Sequence, residues 1–173
     1  YYNNVKIRNF KNQKSEITQV KGLPKNPKLS NISWSPDQKR IALTNTTETG
    51  VELWVLELEN GSVTKLTEPN LNSNIGSVIN WFSDSENMLV KMISRNKKPL
   101  IDTNKIVPDG PTISTNFGEK AQNRTYQDLL KNKFDEHNFE QLSTSTIYKV
   151  SIDGAVKKWM DDGMYRTISF SPN

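Results

Sequence analysis

Ile32-Ser33-Trp34-Ser35-Pro36-Asp37-Gln38-Lys39-Arg40-Ile41-Ala42-Leu43 reads as a strand, a tight turn and a second strand within twelve residues. Pro36 presets φ for the second turn position, and Asp37 can bond its own backbone. Gln38 stands where such a turn normally has Gly, so this turn is expected to differ slightly in shape. The plan recurs at Ile79-Asn80-Trp81-Phe82-Ser83-Asp84-Ser85-Glu86-Asn87-Met88-Leu89-Val90, 47 residues further on, without the proline. Ile168-Ser169-Phe170-Ser171-Pro172-Asn173 begins a third copy. A repeat of this period sets the architecture before any single residue does.

Outward from the first copy, residues 29–34, 41–46, 51–58 and 63–67 each read as a strand. Asn60-Gly61 is a two-residue hairpin signal between the last two, with positive φ expected at both positions. Four short antiparallel strands in about forty residues describe one propeller blade. The second unit shows its first two strands at 78–82 and 87–93. Its third and fourth come only at 146–152 and 155–159, joined by Asp153-Gly154. Ile168 lies 89 residues beyond Ile79. One blade period accounts for about half of that distance, which leaves roughly forty residues of insertion.

The fold class expected is therefore all-β: a partial β-propeller of four-stranded antiparallel blades, one of them with a short helical insertion. Residues 1–24 are read as the end of a blade, a hairpin from 5–10 and 16–20 followed by a connector. Residues 25–70 are a complete blade, 71–162 a blade with its insertion at about 94–143, and 163–173 the start of the next. Within the insertion, residues 95–111 read as loop. Thr125-Tyr126-Gln127-Asp128 reads as a capping box leading into Leu129-Leu130. Asp135 is expected to cap a second short helix carrying Phe139 and Leu142. A long insertion in a blade is usually functional or a docking element. A piece of this length cannot close a propeller, so exposed strand edges are expected to favour self-association or low stability.

Composition narrows the chemistry. The chain has 173 residues, no cysteine, one histidine and a net charge of +4. Without cysteine there is no disulfide and no thiolate metal site. With His137 alone, a metal centre or a His-based catalytic system is not expected, and neither is a cofactor. The lysines and arginines before residue 41 alternate with strand residues and read as solvated faces, so no nucleic-acid partner is expected. No apolar run is long enough to span a membrane. No Gly-x-Ser-x-Gly, Walker loop, dinucleotide fingerprint or zinc spacing occurs. No catalytic residue is therefore assigned within the chain.

The acidic pairs Asp135-Glu136 and Asp161-Asp162 are adjacent in sequence and read as solvated turn residues, since acid–base pairs must converge across a cleft. Trp34, Trp54, Trp81 and Trp159 all fall on expected strands, where packing between blades is the economical role. The sequons at Asn31, Asn45, Asn60 and Asn123 are read as chance in an Asn-rich sequence. Arg124 is the one substrate-binding candidate. It stands before a capped helix, where a guanidinium could hold a substrate carboxylate bidentately. The alternative is a structural arginine bonding nearby loop carbonyls.

Trp34-Ser35-Pro36-Asp37, Leu53-Trp54-Val55, Gly61 and Leu66-Thr67 resemble the propeller repeat shared by TolB-like proteins and the prolyl oligopeptidase family. Gly22-Leu23-Pro24, Asn26-Pro27-Lys28-Leu29-Ser30, Thr44-Asn45-Thr46-Thr47, Gly50-Val51-Glu52-Leu53-Trp54 and Arg124-Thr125-Tyr126-Gln127-Asp128-Leu129-Leu130 resemble something narrower. They look like the amino-terminal propeller of the glutamyl endopeptidase branch of prolyl oligopeptidase-type serine peptidases. Bacterial envelope and plant chloroplast members share that pattern. The resemblance implies a parent enzyme in which a propeller gates an α/β-hydrolase domain bearing Ser, Asp and His, with a peptide substrate and a preference for Glu. It also implies a bacterial periplasmic or secreted setting, and as partners the remaining blades and the hydrolase domain. The rival expectation is a non-enzymatic TolB-like propeller that binds a protein.

Overall fold

The computed structural model describes residues 1–8, 17–102, 105, 110, 117–118, 130 and 132–171. Arg124, the capping box at 125–128, the sequon at Asn123, the tip of the first hairpin and Pro172-Asn173 of the third repeat lie outside these residues. The chain forms two compact units, one of Tyr1–Lys97 with Ser143–Asn173 and one of Lys98–Leu142.

The first unit holds two four-stranded antiparallel sheets. The first is β3 (Leu29–Trp34), β4 (Arg40–Thr46), β5 (Val51–Glu57) and β6 (Val63–Lys65), in that order. The second is β7 (Ile79–Trp81), β8 (Asn87–Ile93), β9 (Ser145–Ser151) and β10 (Val156–Gly163), in the same up-and-down order. A separate pair, β1 (Lys6–Ile7) and β2 (Thr18–Gln19), matches Lys6 with Gln19 and Ile7 with Thr18. Each four-stranded sheet has the strand order of one blade.

The central strands β4 and β8 are buried on both faces, which is why Ile41-Ala42-Leu43 and Met88-Leu89-Val90 are continuous apolar runs rather than alternations. Ala42 pairs with Val55 and Thr44 with Leu53, while Met88 pairs with both Trp81 and Val150. These pairings place Ala42, Leu53 and Val55 of the first sheet in one cluster with Ile79, Trp81, Met88, Val90 and Val150 of the second. The opposite face of the first sheet, with Leu29, Ile41, Leu43, Leu56 and Val63, forms another cluster that packs Val5, Ile7 and Val20. Each fully buried Leu, Val or Met in such a layer is worth about 1.5–3 kcal/mol against exposure. The successive layers therefore hold the sheets face to face.

The repeated turns are alike. The Gln38 N–H donates to Ser35 O (2.9 Å), and the Ser85 N–H to Phe82 O (3.2 Å). Both third-position residues take left-handed backbone, Gln38 at φ 60° and Ser85 at φ 59°. The aspartate side chain supplies the order that glycine or proline would otherwise give. Asp37 Oδ1 accepts from the Ser35 hydroxyl (2.6 Å) and the Lys39 N–H (3.0 Å). Asp84 Oδ1 accepts from the Glu86 (2.9 Å) and Asn87 (3.0 Å) N–H groups. The Ser35 hydroxyl and the Lys39 N–H hold the Asp37 carboxyl below its ordinary pKa.

The hairpins closing β5–β6 and β9–β10 are also not the expected two-residue turns. Glu57 N–H reaches Ser62 O (2.9 Å) and Gly61 N–H reaches Glu57 O (3.0 Å), so the first is a longer loop. Only its glycine is left-handed (Gly61, φ 70°), as is Gly154 (φ 89°) in the second; Asn60 and Asp153 are not.

Candidate functional site

Buried polar groups gather where the insertion leaves the second sheet. Ile93 pairs with Ser145, the last rung between β8 and β9. The chain thus departs and returns at one end of the sheet. Asn72, Lys91, Ser94, Ser143, Ser145 and Thr146 are all buried there.

Asp162 organises this root. Its Oδ2 accepts from the Ser94 hydroxyl (2.6 Å) and the Asn96 amide (2.9 Å), and its Oδ1 from the Thr146 hydroxyl. Asn96 N–H in turn donates to Ser94 Oγ (3.0 Å). The donors from Ser94, Thr146 and Asn96 hold the Asp162 carboxyl below its ordinary pKa. Asp161-Asp162 is exposed, as expected, but it does not sit in a turn. Both lie on β10, and Asp162 ties the outgoing strand end to the incoming one. Its partners are 16 to 68 residues distant in sequence, so no local pattern could have announced them.

Lys91 is the second organising group. It stands in the middle of β8 with 1% of its surface exposed. Its ammonium donates to Ile75 O and to Tyr165 O (3.2 Å), which belong to the segments preceding β7 and following β10. Burial lowers its pKa. The two segments meet closely: a Cβ on Gly76 would lie 1.9 Å from Arg166 O, so only glycine fits. Asn72 extends the fastening, with its N–H on Lys91 O (2.9 Å) and its side-chain amide on Thr144 O (2.9 Å). The sequence signal for Lys91 was a single charge inside an apolar strand.

Beside this root, Lys65, Glu68, Pro69, Met92, Arg95 and Tyr148 are among the residues lining a cavity of about 570 Å³ between the two sheets. Lys65 is occupied by Glu68 (3.1 Å) and Glu52 (3.7 Å), and the bond to Glu68 raises its pKa. None of these groups is a nucleophile paired with a base. Asp162 is filled with donors and Lys91 with carbonyls, so both hold structure. Among the described residues, no group of three His, Asp or Glu side chains could hold a metal ion.

The second unit has its own order. Helix α1 (Lys133–Ser143) is capped by Asn132, whose Oδ1 accepts from the Phe134 and Asp135 N–H groups (both 2.9 Å). Asp135 is therefore not the cap. With Glu136 it occupies the first helical turn, where negative charge complements the helix dipole. Asn138 exchanges two hydrogen bonds with the Ile101 backbone (2.8 Å each). His137 donates from Nε2 to Pro99 O (3.1 Å), and the Lys98 N–H donates to Gln141 (2.7 Å). His137, Asn138 and Gln141 together fasten residues 98–101 along the helix. Phe139 and Leu142 remain exposed.

The tryptophans divide. Trp81 is buried between the sheets, and its indole N–H donates to Ser33 O of the neighbouring sheet (3.2 Å). Trp54 packs against the other cluster and donates to Glu52 (2.9 Å). Trp34 and Trp159 are 56% and 52% exposed, so the packing role expected for all four holds only for the first two. Trp34 and Trp159 lie on the outermost strands of their sheets, where one face has less to cover it.

No family model matches the chain. It is 29% identical over 165 residues to a protein described as a probable chloroplastic glutamyl endopeptidase of Oryza sativa, covering 89% of this chain and 17% of that one. A protein of Arabidopsis thaliana with the same description is 31% identical over 154 residues, covering 81% and 15%. The chain thus spans about one-sixth of the length of these relatives. Among solved structures, Pyrococcus horikoshii acylaminoacyl peptidase aligns with TM-score 0.43 at 20% identity, over 83% of this chain and 18% of that one. TolB from Acinetobacter baumannii aligns with TM-score 0.42 at 16% identity, over 83% and 23%. The sequence similarity relates the chain, as a portion of a β-propeller, to the glutamyl endopeptidase branch of the prolyl oligopeptidase-type peptidases.

Proposed function

We propose that the chain is the propeller portion of a serine endopeptidase that gates access to the catalytic site, contributes to peptide binding and prefers Glu at the cleavage site. The observation that carries this reading is the 29–31% identity to two proteins that share one description, over more than four-fifths of the chain. The two blade-like sheets agree with it. In this reading residues 1–24 close one blade, 25–70 form the next, 71–162 form a third around an insertion at about 94–143, and 163–173 open a fourth. The Ser, Asp and His of the chemistry belong to a hydrolase domain outside these residues. A bacterial periplasmic or secreted setting goes with this proposal on the pattern of resemblance alone; the two curated relatives are chloroplastic by description. Among the described residues, no helix is long and apolar enough to cross a membrane.

Arg124 is the residue proposed to read the substrate carboxylate. A bidentate guanidinium–carboxylate contact is charge-assisted and worth about 1.5–3 kcal/mol, or roughly 10- to 150-fold in affinity. A side chain that does this needs a firmly held base. The Asp162 knot orders the two chain ends from which the insertion springs. In the intact enzyme, Arg124→Ala should raise KM for Glu substrates by that factor and leave other substrates nearly unchanged. An equal loss across substrates would make Arg124 a structural residue.

A further inference from the structure

The cavity of about 570 Å³ beside the insertion root lies between two walls of this chain. β6 and the segment after it form one wall, with Leu66 and Pro69. β8, β9 and β10 form the other, with Met92, Ile93 and Val156. All four strands of both sheets lie within the chain, so the cavity owes nothing to an uncovered flank. Its size falls within the roughly 300–1,000 Å³ of ligand sites, and its lining has their make-up: apolar walls and a few polar groups.

The polar lining divides in two. Lys65 is taken by Glu68 (3.1 Å) and Glu52 (3.7 Å), the Thr67 hydroxyl oxygen by the Leu53 N–H (3.0 Å), and the Ser94 hydroxyl by Asp162 (2.6 Å). Among the described residues, no hydrogen bond or ion pair engages the Asn70 carboxamide, the Arg95 guanidinium or the Tyr148 hydroxyl. Each of these free groups stands on a fixed base. Arg95 lies between Ser94 and Asn96, both bonded to Asp162, and the Lys97 N–H closes that turn onto Ser94 O (3.3 Å). The Asn70 carbonyl accepts from the Ile93 N–H (2.8 Å), and Tyr148 is paired on both sides, with Val90 and Lys158. Fixed bases with unspent polar groups are what a binding site needs.

We propose that this cavity binds a peptide segment carrying an acidic side chain. Arg95 takes the carboxylate, its planar fork matching the two oxygens with two bonds. Lys65 and Glu68 cancel, which leaves Arg95 as the unanswered charge of the lining. The Asn70 carboxamide donates and accepts at once, as a peptide group does, so it pairs with the main chain of the bound segment. Leu66, Pro69, Met92 and Val156 cover the apolar neighbours of the acidic residue. Such a site serves a protein that cleaves peptides and one that only binds them, so it does not depend on a peptidase role.

The test uses the intact polypeptide that contains these residues, treated with a fluorophosphonate so that peptides are bound and not cut. The probes are an acetylated, amidated Leu-Glu-Leu peptide, its Gln and Lys counterparts, and hexanoate as a free acid with an apolar tail. Amide exchange at 66–70 and 92–95 reads occupancy at the cavity itself. The Glu peptide should slow exchange there, half-saturating at a concentration about five-fold lower than the Gln peptide, the effect of an ion pair that stays partly solvated. Arg95→Gln should erase that difference and Arg95→Lys should keep part of it. Neither should shift the melting temperature, since the guanidinium holds nothing else in place. Val156→Phe, at the half-exposed rim, should weaken every peptide. Arg124→Ala should leave the response at these segments unchanged, which separates this site from the role proposed for Arg124. No slowing at 66–70 and 92–95 up to about 10 mM peptide would overturn the proposal. So would equal half-saturation by the Glu, Gln and Lys peptides, or a Glu preference that survives in Arg95→Gln. Hexanoate matching the Glu peptide would overturn it too, by making the site one for free acids.

Discussion

Trp81 and Trp34 occupy the same place in two copies of one repeat, and the structure gives them different energies. An aromatic side chain buries about 150–250 Å² when it enters a core. At about 25 cal/mol per Å², full burial of an indole corresponds to about 4–6 kcal/mol, an upper bound because the unfolded chain is partly collapsed. Trp81 is 9% exposed and bonded to Ser33 O, so Trp81→Ala should cost about 3–5 kcal/mol, the usual range for a buried tryptophan. Trp34 is 56% exposed, so Trp34→Ala should cost no more than about 2–3 kcal/mol by the same area argument. Trp81→Phe separates the two contributions: it keeps most of the ring but loses the N–H, and should cost about 1–2 kcal/mol. Urea unfolding followed by dichroism would read these values. With a slope of about 2 kcal/mol per M, the difference in burial of one indole, about 2 kcal/mol, should separate the midpoints of Trp81→Ala and Trp34→Ala by about 1 M. Equal costs for the two alanine variants would refute the claim that the two sheets are stacked through Trp81.

Other substitutions probe the turn, the root and the buried lysine. Gln38→Gly should stabilise the chain by up to about 1 kcal/mol in thermal or urea unfolding, because a left-handed non-glycine residue carries a strain of about 1–2 kcal/mol that glycine's extra unfolded-state entropy only partly offsets. Asp162 has a depressed pKa, so its stabilisation is complete above the ordinary carboxylate value and is lost as the pH falls through the lower folded value. Asp162→Asn should cost about 1 kcal/mol near neutrality, the charge-assisted bonds being discounted for solvent exposure, and should remove that acid-side loss. Amide exchange at 94–97 is the local readout. Lys91 also has a lowered pKa, but it is a cation, so the folded chain binds fewer protons than the unfolded one between its folded value and the ordinary lysine value. Its contribution therefore improves as the pH rises through that window. Lys91→Met should flatten that rise. At pH 7 it should cost about 1–3 kcal/mol, because the Ile75 and Tyr165 carbonyls lose their donor.

The strands were legible because burial on two faces writes continuous apolar runs such as Met88-Leu89-Val90, and because the Trp34 and Trp81 copies set the period. The insertion was legible for the same reason: a repeat makes a gap measurable. Turn chemistry was only half legible. Asp37 and Asp84 were readable as turn formers. That a side chain acceptor would hold Gln38 and Ser85 in left-handed backbone depends on three-dimensional hydrogen bonding. The helix start was misplaced because Asn132 and Asp135 are both acceptable caps in sequence. Only the backbone geometry decides which N–H groups face which oxygen. Asp162 and Lys91 were illegible as a root because their partners come from segments 16 to 74 residues away. A charge beside a turn, or alone in a strand, says nothing of what surrounds it. The unequal exposure of Trp34 and Trp81 was hidden too, since the sequence shows equivalent positions and not equivalent neighbours.

The most direct test of the functional reading is made on the intact polypeptide that contains these residues. It would be treated with a fluorophosphonate probe and assayed on peptides differing only in Glu, Gln or Ala at the cleavage site. A serine peptidase of the proposed kind labels at one serine outside residues 1–173 and cleaves after Glu in preference to Gln and Ala. A protein that takes up no probe and cleaves none of the peptides, while binding another protein through its propeller, would contradict the account.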